Sequence, residues 1–214
     1  MTKHTPILAA AALAALLASG QAAAQNSGWY MGGGPGSAKA AFTRGDFTSL
    51  GSGTYSVDDS DVAPRVFGGY RIAPNWGVEF GVASLGRYKH RFTSGSNYAV
   101  YHYDASAATV AMAANLPVAG GVSMNGRLGV AFTAAQLRLA SNNGLATPRT
   151  CITVFFDDCT STSTNLYWGL GAQFDIDPRW GIRLDYDNYG EVGDEFETGR
   201  AKIETWSANV LFRF

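Results

Sequence analysis

Residues 166–187 read LYWGLGAQFDIDPRWGIRLDYD, two alternating segments on either side of a short turn. Before the turn, apolar side chains occupy most alternate positions from Leu166 to Ile176. After the turn the alternation continues from Ile182 to Tyr186, and the turn itself contains Asp-Pro-Arg at 177–179. A period of two is the pattern of a β-strand with one apolar face, and Pro and Asp favour tight turns. The stretch therefore predicts a β-hairpin with one apolar and one polar face.

The same alternation recurs along the chain in eight segments, most of them of about ten residues. Segments of about ten residues can cross a bilayer as tilted strands, which takes roughly 9–11 residues. The segments lie at 29–36, 65–72, 76–83, 107–116, 122–132, 166–176, 182–187 and 206–214.

Short and long connections alternate between these segments. We expect the short turns, near Pro74, Pro117 and Pro178, on one side of the sheet and the long polar connections on the other. This is the arrangement of successive hairpins in an up-and-down sheet. The predicted outward loops are 38–64, 87–103, 134–163 and 190–201.

Composition favours lipid over water around this sheet. Only 15% of the residues are charged, against roughly 25% in an ordinary soluble domain. A soluble β-sandwich would alternate in the same way, but aromatic residues such as Tyr70, Trp76, Trp168 and Trp180 fall near segment ends, where the interfacial girdles of membrane barrels lie. An open sheet edge is not tolerated in lipid, so the sheet must close. We predict an all-β fold, an eight-stranded antiparallel up-and-down transmembrane β-barrel.

The first 24 residues have the pattern of an export signal. Lys3 and His4 precede an Ala/Leu run, and Ala22–Ala24 supplies small residues before a cleavage point. We therefore expect a signal peptide at 1–24 and one barrel domain at 25–214. The formal net charge of −1 shows no basic excess, so no nucleic-acid partner is expected.

Several motifs in and around the strands are similar to those of a known family, the OmpA-like transmembrane barrels. The resemblance covers essentially the whole chain after the signal peptide. The motifs are Gly28–Tyr30 (GWY), Phe67–Arg71 (FGGYR), Pro74–Gly81 (PNWGVEFG), Leu85–Arg87 (LGR), Gly126–Gly129 (GRLG), Asp177–Pro178, Arg183–Tyr186 (RLDY) and the terminal Phe214.

The resemblance implies a place in the bacterial outer membrane, in contact with its lipid and lipopolysaccharide. It also implies that Phe214 is part of the signal by which the barrel assembly machinery inserts such proteins. The expected role is structural or surface interaction in the cell envelope, with an extracellular partner at the loops. A narrow porin-like channel for water, ions or small solutes is the alternative, and an adhesin or a lipid A-modifying enzyme is a further one.

Charged residues on the inward face are the candidate lumen site. Members of the family hold acids and bases inside the barrel, and Glu79, Arg127, Arg183 and Asp185 occupy matching inward positions. Because eight strands leave a lumen only wide enough for side chains or one small ligand, these four are expected to pair. Two uses stay open at this point: a stabilising charge network, or a narrow path for water or ions.

Two features are expected outside the membrane. Cys151 and Cys159 form a closely spaced pair in an exported chain, which favours a disulfide over a metal site. Arg87, Lys89 and Arg91 are expected at the level of the lipid headgroups, where they could contact lipopolysaccharide phosphates.

The chain offers little for catalysis or metal binding. Along a strand, His102, Asp104 and Ser106 stand in one line about 7 Å apart, too far for a hydrogen-bonded triad. The run that begins at Asp185 starts like a calcium loop, but its twelfth position is Phe196 and not a bidentate Glu. We expect no enzymatic activity, no metal and no cofactor.

Overall fold

The computed structural model describes residues 28–42, 54–143, 158–194 and 200–214. The predicted signal peptide at 1–24 therefore lies outside the described residues. Strands and turns make up these ranges, and no helix within them is long and apolar enough to cross a membrane.

The described residues form eleven strands, which all belong to one antiparallel sheet. Seven of them follow one another as hairpin-paired neighbours along the chain from β5 to β11. The strands are β1 Gly28–Gly34, β2 Gly36–Phe42, β3 Thr54–Asp58, β4 Ser60–Val62, β5 Arg65–Ala73, β6 Trp76–Ser94, β7 Asn97–Ala119, β8 Val122–Asn142, β9 Asp158–Asp175, β10 Trp180–Val192 and β11 Ala201–Arg213.

The sheet closes on itself through β1. This strand pairs with β5 on one side and with β11 on the other, where Tyr30 lies opposite Arg213 and Gly33 opposite Val210. The ring therefore contains β1 and β5–β11, eight strands in all. The prediction of an eight-stranded antiparallel barrel is confirmed.

Three strands are additional to the ring, and two prolines account for two of them, β2 and β4; the third, β3, pairs with β6. β2 continues β1 beyond Pro35 in the same register on β11, with Gly36 opposite Ser207. β4 likewise continues β5 beyond Pro64 on the same neighbouring strand, since Ser37 lies opposite Val62. Proline has no N–H to donate to the ladder, but the carbonyl of Pro64 still accepts a hydrogen bond from Ser84 N at 3.0 Å. Each break is thus an interruption without a change of register.

Two of the three short turns lie where the sequence predicted them, at 74–75 and 176–179. At the second, Asp177 Oδ1 accepts hydrogen bonds from Arg179 N and Trp180 N, both at 2.7 Å. The third prediction, a turn from Pro117 to Gly120, is wrong at its start: Pro117 lies within β7, and the chain turns at Gly120–Gly121. Both glycines have positive φ, 57° and 80°, the requirement of a type I′ hairpin turn.

The predicted outward loop 87–103 is also wrong. β6 and β7 stay paired until Ser94 lies opposite Asn97, so only a two-residue turn separates them. β6, β7 and β8 contain 19, 23 and 21 residues, about twice the length that a bilayer needs. The strands therefore continue far beyond the segments that the alternation had marked.

We divide the barrel at the level of Val82, Ala108 and Phe132, whose side chains point outward on β6, β7 and β8. The lower half lies between this level and the short turns, and the upper half lies beyond it. The outer wall of the lower half carries exposed apolar side chains such as Val110 and Leu128. Inside the upper half, by contrast, is an apolar core of buried residues that includes Leu85, Tyr88, Tyr101, Tyr103, Leu137, Tyr189, Val192 and Ile203.

Candidate functional site: the lumen and the outer wall

The four charged residues that the sequence placed inward meet in the lumen of the lower half. Arg183 Nη1 lies 2.8 Å from Glu79 Oε2, and Arg183 Nε lies 2.8 Å from Asp185 Oδ2. Arg127 Nη1 lies 2.9 Å from Asp185 Oδ1. These side chains are at most 4% exposed, so the cluster lies inside the barrel and away from both mouths.

Two further charges complete this cluster. Arg65 pairs with Asp187 and lies 3.3 Å from Glu79 Oε1 through its Nη2 atom. Arg127 Nη2 lies 3.0 Å from Asp187 Oδ1. The complete lumen network is three arginines with three carboxylates, which balances the buried charge and avoids the large cost of an unpaired ion. It consists of Arg65, Glu79, Arg127, Arg183, Asp185 and Asp187.

Sequence reasoning missed Arg65 and Asp187, although the alternation contains a signal for each. Arg65 is in phase with Phe67, whose ring is buried in the lumen, and Asp187 is in phase with Asp185. Phe67 also contacts the network, because Arg183 Cζ lies 3.8 Å and Arg65 Cζ lies 4.9 Å from its ring centroid. Both arginines therefore gain a cation–π contact as well as their ion pairs.

Neutral side chains also donate hydrogen bonds to the carboxylates of the network. Tyr30 donates to Glu79 Oε2 at 3.2 Å, and Tyr167 donates to Asp187 Oδ1 at 2.5 Å. Asn209 Nδ2 donates to the remaining acid, at Asp185 Oδ2, over 2.9 Å. All three carboxylates thus accept hydrogen bonds from both charged and neutral donors.

Two inward glycines make room for this cluster. A Cβ at Gly169 would lie 2.2 Å from Asp187 Oδ1 and 2.8 Å from Arg127 Nη2. A Cβ at Gly171 would lie 2.3 Å from Asp185 Oδ1. The space that these glycines leave is therefore occupied by the charged side chains themselves.

Aromatic and aliphatic side chains fill the lumen above the network. Tyr88 and Tyr103 are fully buried, with ring centroids 6.2 Å apart. Tyr103 donates to the carbonyl of Val192 at 2.8 Å, and Tyr88 to the carbonyl of Leu85 at 2.5 Å. Burial raises the pKa of the Tyr88 hydroxyl, so this group stays neutral and keeps its proton for the hydrogen bond.

The predicted headgroup residues lie on β6 in the upper half, and a β-bulge turns them outward. The register shifts between Ser84 and Gly86, which has φ of 98°. Below the bulge the odd-numbered positions of β6 point inward, as Glu79 does, whereas above it the even-numbered ones do. An extra residue on one strand has this effect, and glycine suits the left-handed backbone that it needs. The bulge thus brings Arg87, Lys89 and Arg91 to the outer wall.

The three predicted basic residues differ in what they contact. Arg87 Nε is 2.5 Å from Asp104 Oδ1, and this hydrogen bond raises the pKa of the guanidinium. Arg91 Cζ lies 5.2 Å from the ring centroid of Tyr98. Lys89 is exposed on the outer wall between them. Arg87 is therefore committed to a neighbouring acid, whereas Lys89 is exposed, with Asp58 of β3 opposite it in the sheet.

Aromatic clusters mark both ends of the lower half. Near the short turns, the ring of Phe212 is 4.8 Å from that of Trp180 and 5.1 Å from that of Phe214. At the opposite end, Tyr186 lies between Trp168 and Trp206, at 5.5 and 5.0 Å. Rings in two belts around an apolar wall are typical of a barrel that crosses a bilayer.

The proposed disulfide stays a prediction. Cys151 lies outside the described residues, and Cys159 is described only as a backbone position in β9 opposite Leu137. Within the described ranges, no group of three or more His, Cys, Asp or Glu residues is arranged to hold a metal ion.

Solved structures with the same fold are small outer-membrane barrels. OprG of Pseudomonas aeruginosa is 15% identical, with a TM-score of 0.53 over 88% of this chain and 97% of its own. Ail of Yersinia pestis, solved with the heparin analogue sucrose octasulfate, is 16% identical, with a TM-score of 0.52 over 88% and 99%. Neisserial surface protein A is 19% identical, with a TM-score of 0.51 over 88% and 99%.

Among curated proteins, no significant match to the sequence was found. The OmpA-like transmembrane domain family matches residues 24–214, nearly the whole chain beyond the predicted signal peptide. The apolar outer wall, the charged lumen and the fold of the neighbours agree with that match. The protein is a β-barrel of the bacterial outer membrane and belongs to the family of OmpA-like transmembrane domains.

Proposed function

We propose that this protein is a structural and surface-interaction barrel, in which the lower half anchors a folded upper half outside the cell. The observation that carries the proposal is the filled lumen. The lumen network occupies the lower half, and a buried aromatic and aliphatic core occupies the upper half. A lumen packed in this way contributes rigidity to the barrel, and the outer wall and the loops are left to make contacts.

Three kinds of partner belong to this proposal. Lys89 and Arg91 contact lipopolysaccharide phosphates from the outer wall, with Arg87 held by Asp104. An extracellular partner binds at the loops, and the barrel assembly machinery reads Phe214 during insertion. Support for a surface role comes from the Ail structure, whose sulfated-sugar ligand is an anion, together with the outward-facing cations of this chain.

A non-enzymatic role is part of the same proposal. His102, Asp104 and Ser106 point outward along β7 at every second position, and Asp104 is paired with Arg87. This arrangement supports a surface role for the three residues in place of a catalytic one.

A narrow channel is the second candidate, and one cavity favours it. A space of about 30 Å³ lies in the lower half and is lined by polar residues that include Arg71, Asn125, Gln173 and Arg183. It is large enough for a water molecule and reaches the lumen network at Arg183. A path for water or ions would have to continue from this cavity through the network.

Single-channel recording separates the two candidates. The barrel, residues 25–214, is refolded in detergent, its folded state is confirmed by heat-dependent mobility on a gel, and currents are recorded in a planar bilayer. We expect no conductance steps. Reproducible steps that change in Arg183→Ala, but not in the matched rim variant Arg200→Ala, would overturn the proposal of a filled lumen that does not conduct. They would establish a narrow channel.

A further inference from the structure

Four rows of outward side chains cross β6, β7 and β8 at the boundary between the two halves. The strand pairing places the members of each row directly opposite one another, and successive rows are about 7 Å apart along β7. From bottom to top, we name them the apolar row (Val82, Ala108, Phe132), the small row (Ser84, Ser106, Ala134), the ion-pair row (Arg87, Asp104, Gln136) and the basic row (Lys89, His102, Arg138).

The two lower rows form a groove on the lipid-facing wall. Its volume is about 590 Å³, and its walls include Val66, Val82, Ala108 and Phe132. The groove exists because the small row places short side chains between bulky ones. Its volume falls in the range of small-molecule sites, roughly 300–1,000 Å³, and its lining is almost entirely apolar, which suits a hydrocarbon chain.

A second groove continues upward from the first. It has a volume of about 700 Å³ and is lined by the small row together with the ion-pair row. Ser84, Ser106 and Ala134 belong to both grooves, so the two spaces are joined. The upper groove offers the hydroxyls of Ser84 and Ser106. The amide oxygen of Gln136 accepts a hydrogen bond from Arg138, and the cation of Arg87 is already neutralised by Asp104.

The basic row lies at the top of this surface. Lys89 and Arg138 occupy positions on either side of His102, roughly 10 Å apart across two strand spacings. Lys89 is exposed and forms no ion pair with another described side chain. Arg138 Nη2 donates a hydrogen bond to Gln136 Oε1 at 2.6 Å, and Asp158 of β9 lies opposite Arg138 in the sheet. Asp58 of β3 lies opposite Lys89 in the sheet. An anion that bridges Lys89 and Arg138 would gain a charge-assisted hydrogen bond from each cation.

We propose that this wall binds one phosphorylated lipid of the outer leaflet, with an acyl chain in the lower groove and a phosphate on the basic row. The order of the rows matches the order of chemistry in such a lipid: hydrocarbon, then hydroxyl-bearing headgroup, then phosphate. Basic residues next to a hydrocarbon-facing surface are how proteins recognise anionic headgroups. The inference deepens the lipopolysaccharide contact proposed above, and it holds whether or not the lumen conducts.

A soluble anion would use only part of this surface. A sulfated or phosphorylated sugar without acyl chains reaches Lys89 and Arg138 but leaves the apolar groove empty. A lipid gains affinity from both ends, because its acyl chain makes van der Waals contacts in the groove while its phosphate pairs with the cations. Dependence on the groove therefore distinguishes a lipid site from a surface that binds any polyanion.

The test is a titration of the refolded barrel with lipid A in a neutral detergent, followed by native mass spectrometry. We expect one bound lipid A per barrel. The double variant Lys89→Gln/Arg138→Gln and the groove-filling variant Ala108→Trp should each weaken binding at least tenfold. The matched control Arg200→Gln/Lys202→Gln removes two cations from another part of the upper wall and should leave binding unchanged.

Three results would overturn the proposal. One is equal affinity of Ala108→Trp and the parent. Another is binding of sucrose octasulfate or of deacylated lipid A as tightly as lipid A, which would mark an anion site without a lipid groove. The last is a loss of lipid A binding in Arg200→Gln/Lys202→Gln as large as the loss in Lys89→Gln/Arg138→Gln. Heat-dependent gel mobility verifies that each variant is folded, and Ala108→Met replaces Ala108→Trp if the larger side chain prevents folding. Conductance by the unmutated barrel would overturn only the proposal of a filled lumen that does not conduct, and would leave the lipid site untouched.

Discussion

In the lower half of the barrel, β8 points Arg127 inward and Leu128 outward, whereas in the upper half the same strand points Leu137 inward and Arg138 outward. The phase of the strand is unchanged, since the odd-numbered residue faces the lumen in both places. Only the chemistry is reversed. The lower half has apolar side chains outside and charges inside, the reverse of a soluble protein. The upper half has the arrangement of an ordinary soluble barrel.

The medium outside the barrel explains this reversal. Lipid surrounds the lower half, so apolar side chains are stable outside and charges must pair inside. Water surrounds the upper half, so the apolar residues gather in the lumen as in any soluble core. The change occurs at the small row, Ser84, Ser106 and Ala134, where the apolar wall ends and the charged wall begins.

The largest effect is expected from filling the space beneath the lumen network. Gly169→Leu would place a side chain where Asp187 Oδ1 and Arg127 Nη2 now lie, and we expect the barrel not to fold. The heat-dependent gel shift measures this. Gly68→Ala is the control, because a Cβ there points outward and meets nothing closer than 3.6 Å. A folded Gly169→Leu barrel would show that the network is not tightly packed.

Removing one acid of the network should be the next most costly change. Asp187→Ala leaves Arg65 and Arg127 buried without one of their partners, and we expect a loss of about 3–5 kcal/mol in the free energy of unfolding. Urea titration in liposomes measures it. The exposed pair between Arg200 and Glu191 in the upper half should contribute only about 0–1 kcal/mol. Similar losses from Asp187→Ala and Glu191→Ala would contradict the comparison.

A charge added to the outer wall should lower the free energy of unfolding in the lower half only. Leu128→Arg places a cation on the lipid-facing wall, where we expect a loss of about 2–4 kcal/mol if the position is near the midplane. Gln136→Arg, on the same strand and the same outer face, should leave the free energy of unfolding nearly unchanged because the upper wall already carries charges. Urea titration of the two variants side by side gives the difference. Equal losses would place both positions in the same medium.

The smallest expected effect is the loss of one hydrogen bond in the upper core. Tyr103→Phe keeps the ring but removes the donor to Val192 O, and we expect a loss of about 1 kcal/mol. Because the upper half has its own core, hydrogen exchange should rise there and stay unchanged around Arg127. Exchange that rises equally in both halves would show that they unfold as one unit.

The lower half was largely predictable from the sequence. Alternation assigns Glu79, Arg127, Arg183 and Asp185 to the lumen, and the structure places all four there. The upper half was not, because residues 87–103 lack a uniform polar or apolar outward face. Tyr88 and Tyr101 point inward among charged and aromatic neighbours, so the stretch was interpreted as a loop when it is a long hairpin.

Local periodicity by itself determined the strand type, the number of strands in the ring and which face of each lower-half strand meets lipid, because side-chain direction in a strand depends only on the position along it. Only the closed barrel decided which inward charges meet: Arg65 and Asp187 join the lumen network across the ring from residues remote in sequence. The bulge at Gly86 likewise belongs to the tertiary structure. It reverses the phase of β6 and turns Lys89 to the outer wall, because an extra residue is accommodated only where the pairing with β7 permits it.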